Sequence, residues 1–153
     1  MCSADRGLGG ATFRGAALCG GATFSGDAGF AGAPFTLAAY LVQGSGSKDF
    51  AALKMMMHRQ PAVLRALLTT LTDLVVEYLN AQIDTGPPLV QLFDTWAGLL
   101  DRATYRGWVL PVHREIAAMV DRDRAPLILY VNNGAHVLEE AFLSGADVVS
   151  VDW

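Results

Sequence analysis

An acid and a hydroxyl stand side by side at Asp94-Thr95, immediately after the apolar run Leu89-Val90-Gln91-Leu92-Phe93. A carboxylate there can move a proton or accept hydrogen bonds, and a threonine hydroxyl can both donate and accept. Their placement matters more than their types. In parallel α/β sheets and barrels the working groups sit just beyond the C-terminal ends of the strands. The same grammar recurs at Asn132-Asn133-Gly134-Ala135-His136, after Leu127–Val131, and at Asp152-Trp153, after Asp147–Val151. A fourth junction of this kind is Gly29–Pro34. The polar groups that would share one face are therefore Asp94, Thr95, Asn132, Asn133, His136 and Asp152, with Tyr40 nearby on the helix that follows the first loop.

Each of these residues also has a purely structural use. Asp94 and Thr95 suit the cap of the next helix, and Asn132-Asn133-Gly134 is a turn sequence. His136 stands at a helix start, Asp152 can bond within a barrel, and Tyr40 can simply pack. Met55, Met56 and Met57 lie on a helix and read as core. The chain has no Ser-His-Asp order and no cysteine nucleophile in this region. Gly29-Phe30-Ala31-Gly32-Ala33-Pro34 is not a phosphate-cradling GxGxxG.

The elements that must position these groups alternate between strand and helix. Phe30 reads as the tail of a strand. Ala33-Pro34 opens a helix to about Val42, because proline suits the first helical position. The loop Gly44-Ser45-Gly46-Ser47 ends in a serine able to cap a helix over Lys48–Met57. Pro61 starts a third helix, with apolar residues at helical spacing from Val63 to Leu79, reaching about Gln82. The strand Leu89–Phe93 follows, then a short helix Arg102–Gly107 and a longer one from Pro111 to near Asp123. The strand Leu127–Val131, a helix His136–Leu143 stopped at Gly145 and a strand Asp147–Val151 complete the series. Strands separated by helices at these spacings indicate an α/β fold with a parallel sheet. About four βα units correspond to a partial (β/α)8 TIM barrel, roughly its middle half, since the whole takes about 250 residues.

Residues 1–28 have a different composition. Ala11-Thr12-Phe13, Ala16-Ala17-Leu18 and Ala22-Thr23-Phe24 punctuate a Gly/Ala-rich leader. The rhythm resembles pentapeptide-repeat proteins, but so few units complete hardly more than one coil, and a flexible leader accounts for the segment equally simply. The expected division is thus a leader over 1–28 and a barrel unit over 29–153.

Composition excludes several classes. At 153 residues, 52% hydrophobic and 17% charged, the chain is too apolar for a disordered or solvated charged module. A net charge of −4 with scattered Lys and Arg offers nothing to nucleic acid or an anionic membrane. Cys2 and Cys19 form no metal-ligand spacing. No apolar run approaches membrane-spanning length and no secretory signal is evident, so the cytoplasm is the expected location.

With these residues assembled, the chain resembles the uroporphyrinogen decarboxylase family. Gly29-Phe30-Ala31-Gly32-Ala33-Pro34-Phe35-Thr36-Leu37 with Tyr40 is similar to that family's GFAGAPWTL…Y segment. Leu92-Phe93-Asp94-Thr95-Trp96-Ala97-Gly98 is similar to its LF(D/E)SxAG strand end. Gly44–Phe50, Asn133-Gly134-Ala135-His136 and Val148–Trp153 follow in the family's order. The resemblance implies a TIM barrel that works as a homodimer without cofactor or metal. It implies removal of carboxylates from the acetate side chains of uroporphyrinogen, a step of heme and porphyrin biosynthesis, giving coproporphyrinogen and CO2. It implies substrate contacts from Tyr40, Thr95, Phe30 and Gly32, with Asp94, Asn133, His136 and Asp152 as possible lining.

The resemblance also marks what is unmatched. The family's Arg-rich segment, its central aspartate and its C-terminal histidine have no counterpart here, so no catalytic residue is assigned. The four strand-end loops contain no Lys or Arg, a poor fit for an octa-acid on its own. The expectation is an incomplete decarboxylase fragment, inactive alone. Two alternatives stand beside it: a zinc- or corrinoid-dependent methyltransferase of the same fold, and a non-catalytic repeat or interaction protein with a barrel remnant.

Overall fold

The structure is a computed structural model, and it describes residues 28–44 and 49–152. The leader lies outside the described residues up to residue 27, and so does Ser47. Four strands, β1 (Gly29–Gly32), β2 (Val90–Asp94), β3 (Leu127–Val131) and β4 (Val148–Ser150), form one sheet in the order β1-β2-β3-β4. Every pairing is parallel. The helices are α1 (Pro34–Gln43), α2 (Ala51–Arg59), α3 (Pro61–Asp84), α4 (Arg102–Trp108), α5 (Leu110–Met119) and α6 (Leu138–Phe142). A sheet whose spatial order equals its chain order, with helical crossovers, is the winding of a barrel wall. A doubly wound sheet would reverse its order at a switch point.

The two faces of the sheet differ because side chains alternate along a strand. On β2, Val90, Leu92 and Asp94 are buried while Gln91 and Phe93 are half-buried. The register sets Ala31, Leu92, Leu129 and Val149 in one row, and Phe30, Gln91, Ile128 and Val148 in the next. The first row packs against the helices. There Leu64, Leu79 and Ile83 of α3 and Ile116 of α5 are almost fully buried with Leu92, Leu127 and Leu129. The second row forms the barrel-facing surface, where Phe30 remains 39% exposed.

Helix boundaries follow local chemistry. Pro34 occupies the first turn of α1, and Gly44 closes it at φ 77, with its N–H donating to the Tyr40 carbonyl. Asp101 caps α4 by accepting from the Ala103 and Thr104 amides. Several expectations shift. α2 begins at Ala51 rather than Lys48, preceded by Phe50 at φ 48, a left-handed turn. α5 ends at Met119 rather than near Asp123, because Val120 turns extended. Asn80 of α3 secures that break, donating to the Met119 carbonyl (3.2 Å) and accepting from the Asp121 amide (2.9 Å). The helix expected over His136–Leu143 divides into a single tight turn, Ala135–Val137, and the short α6. Gly145 keeps a positive φ of 85 beyond it.

Candidate functional site

The C-terminal ends of the strands gather the loops expected to carry polar groups. On the barrel-facing side an aromatic run crosses three strands. Phe30 meets Phe93 edge-on at 6.3 Å between ring centroids, and Phe93 meets Tyr130 at 5.8 Å. Such T-shaped pairs place a ring edge on a neighbour's face, where the quadrupoles attract. Gly32 pairs with Phe93 in register, and a Cβ there would lie 3.3 Å from the Leu37 side chain. Tyr130 ends the run, and its hydroxyl donates to Asn132 Oδ1 at 3.1 Å. Burial, and secondarily the negative charge of Asp152, push the Tyr130 hydroxyl above the usual tyrosine range, so it stays a donor.

Above β2 the chain turns through Thr95 and Trp96 into one tight turn at Ala97–Leu99. Thr95 is half-buried at this turn. Trp96 packs on Phe50 at 4.7 Å and against Tyr40 at 6.0 Å, and Tyr40 meets Phe50 at 6.2 Å. These three rings bring together α1, the entry to α2 and the β2 loop. Tyr40 remains 43% exposed. The Trp96 indole Nε1 is buried without a hydrogen-bond partner among the described residues.

The β2 and β3 loops touch through backbone. A Cβ placed on Gly98 would lie 2.0 Å from the Asn132 carbonyl oxygen, so only glycine fits there. Asn133 takes φ 53, a left-handed value tolerated by asparagine. Its N–H donates to Asp152 Oδ2 at 2.5 Å, tying the β3 loop to the end of β4. His136 points back across the loops, its Nε2 donating to the Leu100 carbonyl at 2.8 Å.

Asp94 is placed differently from expectation. Strand alternation turns it to the helix side, where it is 0% exposed, rather than to the barrel-facing surface. Thr36 Oγ1 of α1 donates to Oδ1 at 2.7 Å, and His113 Nε2 of α5 donates to Oδ2 at 2.9 Å. The Tyr105 hydroxyl of α4 meets His113 Nδ1 at 3.1 Å. Burial, then the charges of Asp94 and Glu140, push the Tyr105 hydroxyl far above its ordinary value. The Tyr105 hydroxyl therefore keeps its proton, and His113 presents its Nε2–H to Asp94. Thr36 and His113 thus satisfy a carboxylate shut off from water.

The structure brings Asp152 to Asn133, sets Tyr40 beside Trp96, and aligns Phe30 and Gly32 on the barrel-facing surface. It ties His136 to the Leu100 backbone and Asp94 to the helices. Thr36, Tyr105 and His113 were not singled out by sequence. A signal for His113 existed: it shares helical spacing with Ile116 and Ala117, both buried, so it had to be a core histidine with a partner. Among the described residues no three His, Cys, Asp or Glu side chains come together in a metal-holding group. No described helix is long and apolar enough to cross a membrane.

Successive parallel βα units in this order define part of a barrel-type α/β fold. The sequence profile of the uroporphyrinogen decarboxylase (URO-D) family matches residues 27–153. The chain belongs to that family. It is 48% identical over 120 residues to a uroporphyrinogen decarboxylase of Citrifermentans bemidjiense, covering 78% of this chain and 35% of that protein. It is 50% identical over 122 residues to the corresponding protein of Gloeobacter violaceus, again over 78% of this chain and 35% of the relative. A relative from Acinetobacter baylyi is 46% identical over 124 residues. The chain therefore spans about a third of the length of these curated relatives.

Proposed function

We propose that residues 29–153 form one wall of a porphyrinogen-decarboxylating barrel, following a leader over 1–28, and that this wall works in the cytoplasm. The reading rests on the relatives, whose name is uroporphyrinogen decarboxylase. The observation that carries it is the barrel-facing run Phe30–Phe93–Tyr130, which leads to the hydroxyl-bearing turn at Thr95. A flat array of aromatic edges suits the faces of a pyrrole macrocycle. The hydroxyls of Thr95 and Tyr40 supply donors at its rim, a role suited to carboxylate side chains.

This wall supplies shape and hydrogen bonds but little positive charge, since no Lys or Arg occurs in its four strand-end loops. Decarboxylating an acetate arm needs a group that stabilises charge developing on the ring. Losing one such preorganised group costs about 10²- to 10³-fold in rate. These 153 residues alone therefore bind the macrocycle and turn it over at least about a hundredfold more slowly than the relatives.

Anaerobic incubation of the purified chain with uroporphyrinogen, with chromatography of the porphyrins after oxidation, tests the rate. Coproporphyrinogen formed as fast as by a full-length relative overturns the inactivity. Titration with uroporphyrin, the stable oxidised macrocycle, followed by tryptophan fluorescence, tests the wall. Failure of quenching to saturate overturns that part.

A further inference from the structure

The buried chain of hydrogen bonds behind β2 does more than satisfy a carboxylate. Thr36 Oγ1 has two partners: it donates to Asp94 and accepts the backbone N–H of Trp96 at 3.2 Å. The path from Tyr105 through His113, Asp94 and Thr36 therefore ends on the peptide between Thr95 and Trp96. It begins on α4, crosses α5 and β2, and reaches the turn through α1. His113 is 1% exposed and Asp94 0% exposed, so water cannot substitute for a missing member.

We propose that His113 is a positioning residue for the Thr95–Trp96 turn. Its Nε2–H orients the Asp94 carboxylate, which holds the Thr36 hydroxyl as a donor, leaving the Thr36 lone pair aimed at the Trp96 amide. Each bond fixes the direction of the next, and no member touches the barrel-facing surface. The consequence for Thr95 as a macrocycle contact rests on the function proposed above. The mechanical coupling to Trp96 does not.

The test is hydrogen exchange of individual backbone amides by nuclear magnetic resonance in the full chain. The Trp96 amide is read against that of Leu92, on β2 just before the turn and with its side chain in the core. In His113→Leu, Trp96 exchange accelerates by about tenfold or more, the exchange equivalent of losing one hydrogen bond, while Leu92 is unchanged. His113→Gln can restore an N–H near the Nε2 position, and exchange returns to within about threefold of the parent. Unchanged Trp96 exchange in His113→Leu with Leu92 still protected overturns the proposal. So does equal acceleration in the Gln and Leu variants.

Should His113→Leu fail to fold, Tyr105→Phe removes only the terminal hydroxyl, and Trp96 exchange must quicken relative to Leu92; equal behaviour of the two overturns the coupling. Uroporphyrin titration of the parent is read separately. Absent binding removes the substrate reading and leaves the amide result standing, whereas a failed amide result overturns the relay whatever the macrocycle does.

Discussion

Gly98 approaches Asn132 so closely that a Cβ on the glycine would sit 2.0 Å from the Asn132 carbonyl oxygen. The two residues belong to loops that follow different strands, and their contact is backbone on backbone. No side-chain rotation relieves it. Gly98→Ala must therefore push the β2 and β3 loops apart. Overpacking of this kind costs about 1–3 kcal/mol, and roughly 2–4 °C of Tm accompanies each kcal/mol in a chain of this length. Thermal melts by circular dichroism should show a fall of at least about 2 °C. An unchanged Tm would mean that the loops are not in contact.

Removing the Asp94 carboxylate leaves His113 and Thr36 facing each other with no acceptor. Asp94→Ala should lose about 1–3 kcal/mol in urea unfolding for each buried donor left without an acceptor. Asp94→Asn keeps an acceptor oxygen for one neighbour and should lose less. A loss below about 1 kcal/mol in the alanine variant, typical of exposed pairs, would contradict its burial.

Tyr105 gives the fold an alkaline limit. Its hydroxyl titrates well above the ordinary tyrosine value because of burial, then the nearby charges of Asp94 and Glu140. The unfolded chain releases that proton near pH 10 while the folded chain keeps it, so the folded state binds more protons and stability falls as pH rises past about 10. This contribution is fully present below that pH. Urea unfolding above pH 10 should lose about 1.4 kcal/mol per pH unit from this group. Tyr105→Phe should lack that share of the slope, and an identical slope in both proteins would be the contrary result.

Thr95 offers its hydroxyl at a half-buried turn. Thr95→Val preserves shape and removes the donor, so uroporphyrin binding should weaken by roughly 1.5–3 kcal/mol, the worth of a hydrogen bond to a charged group. Thr95→Ser should retain most of the affinity. Fluorescence titration of both variants reads the difference, and equal affinities would remove Thr95 from the wall.

The strands and their parallel order were legible because buried strands are short apolar runs bounded by turn residues, as at Pro87-Pro88 before β2 and Asn132-Asn133 after β3. The start of α2 was not. Phe50 adopts φ 48 because its ring is needed against Trp96 and Tyr40, a tertiary demand that no local pattern announces. The end of α5 was hidden for a similar reason, since it is fixed by Asn80, some 40 residues earlier in the chain.

For the site, sequence located the loops but not the direction of every side chain. Asp94 closes β2 and looked like a residue at the mouth. The period of two along that strand, counted from Val90 and Leu92, was enough to turn it toward the helices. Its partners Thr36 and His113 lie 58 and 19 residues away, so their convergence required the fold.

That orientation of Asp94 has an electrostatic consequence for any polyanion meeting the opposite side of the sheet. A carboxylate at the rim would repel each incoming acid group by about 1 kcal/mol at 4 Å even in water, and by more where water is excluded. Turned inward and held by Thr36 and His113, the same charge is spent on the scaffold. Among the described residues, Asp152 is an acid that does stand at a strand end, and it is engaged by the Asn133 amide. To such a polyanion this side of the sheet would present neutral ring edges and hydroxyls in place of a bare carboxylate.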